Sequence, residues 1–134
     1  MNVDYTIKKS PDFIFDYLTD MQKFVSVHPV IYKIDTLGGN KYLVFEQLKI
    51  GFIPYSFTYV VTIESNLNNK TITMNAIVMN MVKIKMEYRI ESINEYSIVH
   101  EAIQFKTWLP VKSFMNQIFK AQHKQLFLNI ERAT

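Results

Sequence analysis

The sequence predicts a single-domain α+β fold: a seven-stranded, curved antiparallel sheet wrapped around one long C-terminal helix. Three observations lead there. From residue 30 onward, apolar and polar positions alternate through six consecutive segments, which is the two-residue period of half-buried strands. After Pro110 the period becomes helical, and no breaker follows. The turns also differ in kind. Gly38-Gly39-Asn40, Asn66-Leu67-Asn68-Asn69-Lys70 and Asn94-Glu95 are polar, whereas Phe52-Ile53-Pro54, Met79-Asn80-Met81 and Trp108-Leu109-Pro110 are apolar. Successive turns of a meander fall at alternate ends, so the three apolar connections belong to one end.

The elements follow in order. Residues 2–8 place Val3, Tyr5 and Ile7 on one face of a first strand. Ser10-Pro11-Asp12 then opens a short helix, with an N-cap, a proline at the first helical position and an acid in the first turn. Phe13, Ile14, Tyr17 and Leu18 form its apolar face. A second short helix, over 21–27, ends at His28-Pro29, because a residue before proline is pushed out of the helical region. Six strands follow, over 30–37, 41–50, 55–64, 71–78, 82–91 and 97–107. In the cleanest of them Val82, Ile84, Met86, Tyr88 and Ile90 face one way, and Lys83, Lys85, Glu87, Arg89 and Glu91 the other. That pattern belongs to an antiparallel sheet with one wet face. The last helix carries a stripe of Val111, Met115, Ile118, Phe119, Gln122, Leu126 and Ile130. At about 22 residues it is roughly 33 Å long, enough to cross a small sheet. One helix does not fill a strongly curved sheet of seven strands, so the space between them is either a cavity or a core of large side chains.

Composition narrows the function. The chain has 134 residues, 49% hydrophobic and 20% charged, with a formal charge of +3, so it reads as one globular domain. The basic residues alternate with acids and form no track for nucleic acid. Cysteine is absent, which fits a reducing compartment. The first residues show no basic segment followed by an apolar run, so no secretory signal is expected. No stretch approaches the ~20 apolar residues of a membrane span. The expectation is a cytoplasmic protein without an integral membrane segment, for which transient membrane contact stays open. Three glycines leave no room for a phosphate-binding or dinucleotide-binding loop. His28, His100 and His123 lack metal-ligand spacing. No metal and no cofactor are expected.

Two acids interrupt apolar strand faces. Glu101 shares parity with Val99, Ile103 and Phe105, and Glu46 with Tyr42, Val44, Leu48 and Ile50. A carboxylate held in an apolar cavity keeps its proton to higher pH and can exchange it near neutrality, which makes Glu101 the candidate acid/base; the alternative is a rim position or a hydrogen bond to a buried Tyr or His. Glu46 is the weaker case, because Leu43 and Phe45 on the opposite face allow a bulge to reverse the parity. His123 lies at the edge of the helical stripe, where it can meet an inward acid. His28 reads as structural, and His100 faces outward.

The expected cavity lining is Tyr55, Phe57, Tyr59, Met74, Met86, Tyr88, Phe105, Met115, Phe119 and Gln122. In that set the methionines give a deformable wall and the tyrosines give hydroxyls that orient a ligand. Phe52, Ile53, Met79, Met81, Trp108 and Leu109 are expected around its mouth, since a soluble protein seldom collects such residues on loop tips without a use.

Ser10-Pro11, Phe15-Asp16-Tyr17-Leu18-Thr19-Asp20, Lys23-Phe24 and His28-Pro29-Val30 resemble the opening of the START-like, Bet v 1-like helix-grip superfamily, especially its small bacterial polyketide cyclase/dehydrase-type members. The likeness spans the whole chain. The residue before His28-Pro29, often aromatic in these proteins, is Val27 here. The resemblance implies an apolar cavity between sheet and C-terminal helix, entered at the end that bears the apolar connections. It also implies a hydrophobic or amphipathic ligand such as a lipid, sterol, quinone or aromatic polyketide. Two alternatives accompany it: a cyclase or dehydratase using Glu101, and a protein-interaction module docking through the apolar loops.

Overall fold

The computed structural model describes the backbone of all 134 residues and every side chain except that of Ile50, whose place in the β3 parity pattern lies outside the described residues. The chain runs β1 (Asn2–Ile7), α1 (Pro11–Thr19), α2 (Met21–Val27), β2 (Ile31–Gly38), β3 (Lys41–Ile50), β4 (Ile53–Asn66), β5 (Thr71–Val78), β6 (Val82–Ile93), β7 (Tyr96–Lys106) and α3 (Lys112–Arg132). All seven strands form one antiparallel sheet in the order β1-β7-β6-β5-β4-β3-β2. The single crossover is β1, which pairs with β7 and makes the first strand an edge.

Local chemistry accounts for the helix starts. The Ser10 side chain accepts from Phe13 N at 3.2 Å, with Pro11 at the first helical position. Asp20 ends α1 and caps α2 by accepting from Gln22 N and Lys23 N. α1 buries Ile14, Phe15 and Leu18, while Phe13 and Tyr17 pack against each other half-exposed. α3 is packed unevenly. Its buried residues, His123, Leu126, Phe127 and Ile130, all lie in its C-terminal half. The N-terminal half, by contrast, presents half-exposed or exposed side chains.

Strand parity matches the expected pattern on β5 through β7, where Ile72, Met74, Ala76, Ile84, Tyr88, Val99 and Ile103 turn inward. The largest departure is β4, which begins at Ile53 instead of 55 and carries Pro54 inside the strand. β5 pairs with β4 only from Val60 onward, so residues 53–59 pair with β3 alone. A strand with one free edge tolerates proline. The β3–β4 hairpin therefore runs seven β4 residues past its last pairing with β5, roughly 23 Å at strand rise.

The edge strand β1 is fastened by a histidine clamp. His100 bonds Asp4 through Nδ1 and Glu91 through Nε2, both at 2.9 Å, so one ring ties β1, β7 and β6. Its pKa is raised above the ordinary value by hydrogen bonding to Glu91 and to Asp4. The folded state thus holds this proton more tightly than the unfolded chain. The contribution to stability is complete below the unfolded pKa of about 6.5 and is lost as pH rises through the folded value. A His100→Gln variant is expected to melt below the parent at about pH 5.5 and together with it at about pH 9, as measured by circular dichroism. An equal gap at both pH values would show that the clamp does not depend on charge.

Candidate functional site

Two adjacent chambers lie between the sheet and the N-terminal half of α3. The inner one, about 40 Å³, is bounded by α2 and β2 at one side and by β3 to β6 and α3 at the others. Its walls include Phe24, Ile31, Val44, Val61, Ile63, Met74, Met86 and Phe119. The outer one, about 160 Å³, is lined by Leu48, Phe57, Val78, Ile84, Met115 and Ile118. Glu46, Tyr59, Phe119 and Gln122 border both. A lateral cleft of about 590 Å³ runs alongside, between Pro29-Val30, the outer end of β3 and Phe114, Ile118 and Ala121 of α3. Gln122 touches all three spaces and stands at their junction.

Four hydrogen-bonding positions break this apolar lining. Glu46 is buried and accepts from the Tyr59 hydroxyl at 2.8 Å. Burial raises its pKa, offset in part by the bond from Tyr59 and the nearby His123. Burial first, and then the Glu46 charge, push the Tyr59 phenol well above its usual range, so it serves as a donor. β3 itself carries no bulge at Glu46: the β3–β4 register is unbroken from Lys41 to Ile50, and the extra residue lies on β2, at Tyr32, opposite Glu46 and Phe45. Lys33 over Phe45 at 4.8 Å and the Tyr32–Phe45 ring contact cover the outward face that had made Glu46 ambiguous.

His28 accepts from Val30 N at 3.2 Å and Ile31 N at 3.0 Å through Nδ1. Burial, together with the neighbouring His123, lowers its pKa to about 3, so it is neutral at ordinary pH with its proton on Nε2. It shapes the α2–β2 connection and also lines the inner chamber.

Glu101 and His123 form a buried pair between Oε2 and Nδ1. The other Glu101 oxygen accepts from the Tyr5 hydroxyl at 3.2 Å. Tyr88 faces Glu101 across the β6–β7 pair, and burial followed by that carboxylate raises its phenol well above the usual range. Glu101 is inward, as its parity implies, but it borders neither chamber; both its oxygens are taken. The group presented to the chamber is His123, held through Nδ1 and left with Nε2 free.

Of the residues expected to line a cavity, Phe57, Tyr59, Met74, Met86, Tyr88, Met115, Phe119 and Gln122 border the chambers. Two do not. Tyr55 sits on the overrunning hairpin and is exposed, and Phe105 packs behind Phe119 with ring centroids 5.3 Å apart. The six expected mouth residues stand clear of the chambers and the cleft; Phe52, Ile53, Met79, Met81 and Trp108 are exposed, and Leu109 is half-buried. A solvent-open cleft lies to the side, at the outer end of β3 beside α3. Sequence reasoning missed the contribution of α2 and β2, including Met21, Phe24 and Ile34, because nothing in their spacing tells which sheet face the helices cover. Among the described residues no group of three or more His, Cys, Asp or Glu side chains is placed to hold a metal ion.

No protein-family model matches the chain, and no curated protein matches it in sequence. Solved structures do. A START superfamily protein from Mycobacterium smegmatis superposes with a TM-score of 0.81 at 13% identity, covering 100% of this chain and 98% of that one. Ara h 8.0201 gives 0.79 at 17% identity, covering 98% and 93%. The ZhuI aromatase/cyclase from Streptomyces gives 0.74 at 9%, covering 98% and 90%. The chain has the helix-grip fold that these structures share.

Proposed function

We propose that this helix-grip protein binds an apolar small molecule bearing one hydroxyl or carbonyl group, in the space beneath the N-terminal half of α3. The observation that carries the reading is the contrast inside the chambers: an apolar wall interrupted by Glu46–Tyr59, His28, His123 and Gln122. Burying polar groups costs free energy unless they find partners, and a ligand hydroxyl supplies a partner where water is scarce. Superposition on a START superfamily protein and on an aromatase/cyclase supports the same class of ligand.

The chambers in this structure are smaller than the ~300–1,000 Å³ of typical ligand sites. Binding therefore requires the N-terminal half of α3 to move. That half lacks buried residues, and weakly packed segments open at low free-energy cost. The lateral cleft leads to it.

Naphthol and naphthalene separate the two components of recognition. Naphthol is expected to bind about two- to tenfold tighter, the worth of one net hydrogen bond, and Glu46→Leu is expected to erase the difference. Equal binding of both probes to the parent protein, read by calorimetry, would remove the polar groups from recognition.

One arrangement favours an enzymatic second reading. A histidine fixed by a buried carboxylate, with its other nitrogen toward the ligand, is suited to proton transfer. In that reading His123 is the acid/base, and Glu101, the candidate from sequence, is a positioning residue. A cytoplasmic setting belongs to both readings.

A further inference from the structure

We infer that the end of the sheet bearing the three apolar connections docks on an anionic phospholipid bilayer. This surface is independent of the chambers, and its test does not depend on any cavity ligand. Register extension places the second and third connections side by side. Lys83 lies opposite Lys106 in the β6–β7 pair, so continuing two residues brings Met81 beside Trp108. The hairpin tip of Phe52 projects beyond them and leans toward α3, since Gly51 and Phe114 border the same cleft.

Four features of this end are costly in a protein surrounded only by water. Phe52 is fully exposed, and Trp108 is 79% exposed. Met79 and Asn80 both hold positive φ in the β5–β6 turn, at 55° and 56°; a left-handed conformation suits asparagine and glycine, not methionine. The N-cap of α3 is Val111, with no side-chain hydrogen bond, so its first backbone N–H groups have no side-chain acceptor. Lys112, at the first helical position, then sets a positive charge against the positive end of the helix dipole. Local sequence rules broken together at one place mark a site of use.

The charge pattern identifies the partner. Segments 47–63, 65–86 and 102–130 contain no aspartate or glutamate. Lys49, Lys83, Lys106 and Lys112 flank the tips, all exposed, and none makes an ion pair among the described residues. The opposite end mixes Asp12, Asp35, Glu64, Glu91 and Glu95 with Lys8, Lys9, Lys41, Lys70 and Arg89, so the excess of positive charge lies at the tips. A protein so polarised presents its basic end to an anionic surface. The exposed tip side chains border neither the chambers nor the cleft, so they fit a deformable interface better than a shaped socket. Tryptophan at headgroup depth and lysines reaching phosphates are the usual division of labour there.

The test is sedimentation with phosphatidylcholine vesicles, with and without phosphatidylglycerol, read together with Trp108 emission, since Trp108 is the sole tryptophan. The protein is expected to sediment with the phosphatidylglycerol vesicles, with a blue-shifted emission, and to release in high salt as charges are screened. A Lys83→Glu/Lys106→Glu variant is expected to bind about tenfold more weakly or worse with an unchanged melting temperature. Met81→Ser is expected to reduce the emission shift while keeping salt-sensitive binding. Three outcomes would each overturn the inference. They are no sedimentation with anionic vesicles, equal sedimentation with neutral ones, and a Trp108 shift that follows protein concentration without lipid, which would make a second copy of this chain the occupant.

Discussion

Replacing Glu101 with alanine is expected to cost about 3 to 5 kcal/mol of folding stability, the usual penalty for breaking a buried pair from one side. Its side chain is fully buried, and that of His123 nearly so. Removing the carboxylate strands His123 Nδ1 and the Tyr5 hydroxyl together, and a buried polar group left without a partner carries its whole desolvation cost. For a chain of this size the loss corresponds to about 10 to 20 °C in melting temperature. The double replacement Glu101→Leu/His123→Leu should recover most of it, because an apolar pair of similar volume can match a buried ionic one. Urea denaturation of both variants separates the contributions. A loss below about 1 kcal/mol for Glu101→Ala would mean the pair behaves like a surface contact, and the description of this site would need revision.

A second large effect is expected at Gln122. Its side chain touches the inner chamber, the outer chamber and the lateral cleft, so Gln122→Trp plugs the junction between them. Uptake of naphthol should fall by about a hundredfold or more, since a filled pocket offers no desolvated surface. Stability should change little, because overpacking is relieved by the loosely held half of α3. The companion variant Gln122→Met keeps the volume and removes the amide, and it should retain most of the binding. Parallel losses in both variants would assign the effect to the amide and not to the passage.

Much of the fold was legible because period carries it. Alternation on β5, β6 and β7 placed their inward residues, and the change of period after Pro110 located α3. The Glu101–His123 pair was legible in outline, from the parity of one residue and the stripe position of the other. Their order was not: strand parity cannot show that the histidine stands between the carboxylate and the chamber. Glu46 was obscured by Phe45 and Leu43, whose outward placement depends on cover from Tyr32 and Lys33 that no local pattern announces. The lateral opening was missed because Pro54 read as the end of a turn. It lies instead within a strand that has one free edge, and the longer hairpin carries Phe52 past the expected rim. Chamber volume depends on side-chain rotamers, which periodicity does not encode.

The central claim, that an apolar ligand enters beneath α3, is tested most directly by the seven methionines. With ¹³C-methyl-labelled methionine and unlabelled naphthol, nuclear Overhauser contacts report which methyl groups the ligand touches. Met21, Met74, Met86 and Met115 border the chambers, whereas Met79 and Met81 lie exposed on a loop tip. The account predicts contacts from naphthol to Met74, Met86 and Met115, and none to Met79 or Met81. Contacts confined to Met79 and Met81 would contradict it, as would saturating binding that leaves Met74, Met86 and Met115 untouched.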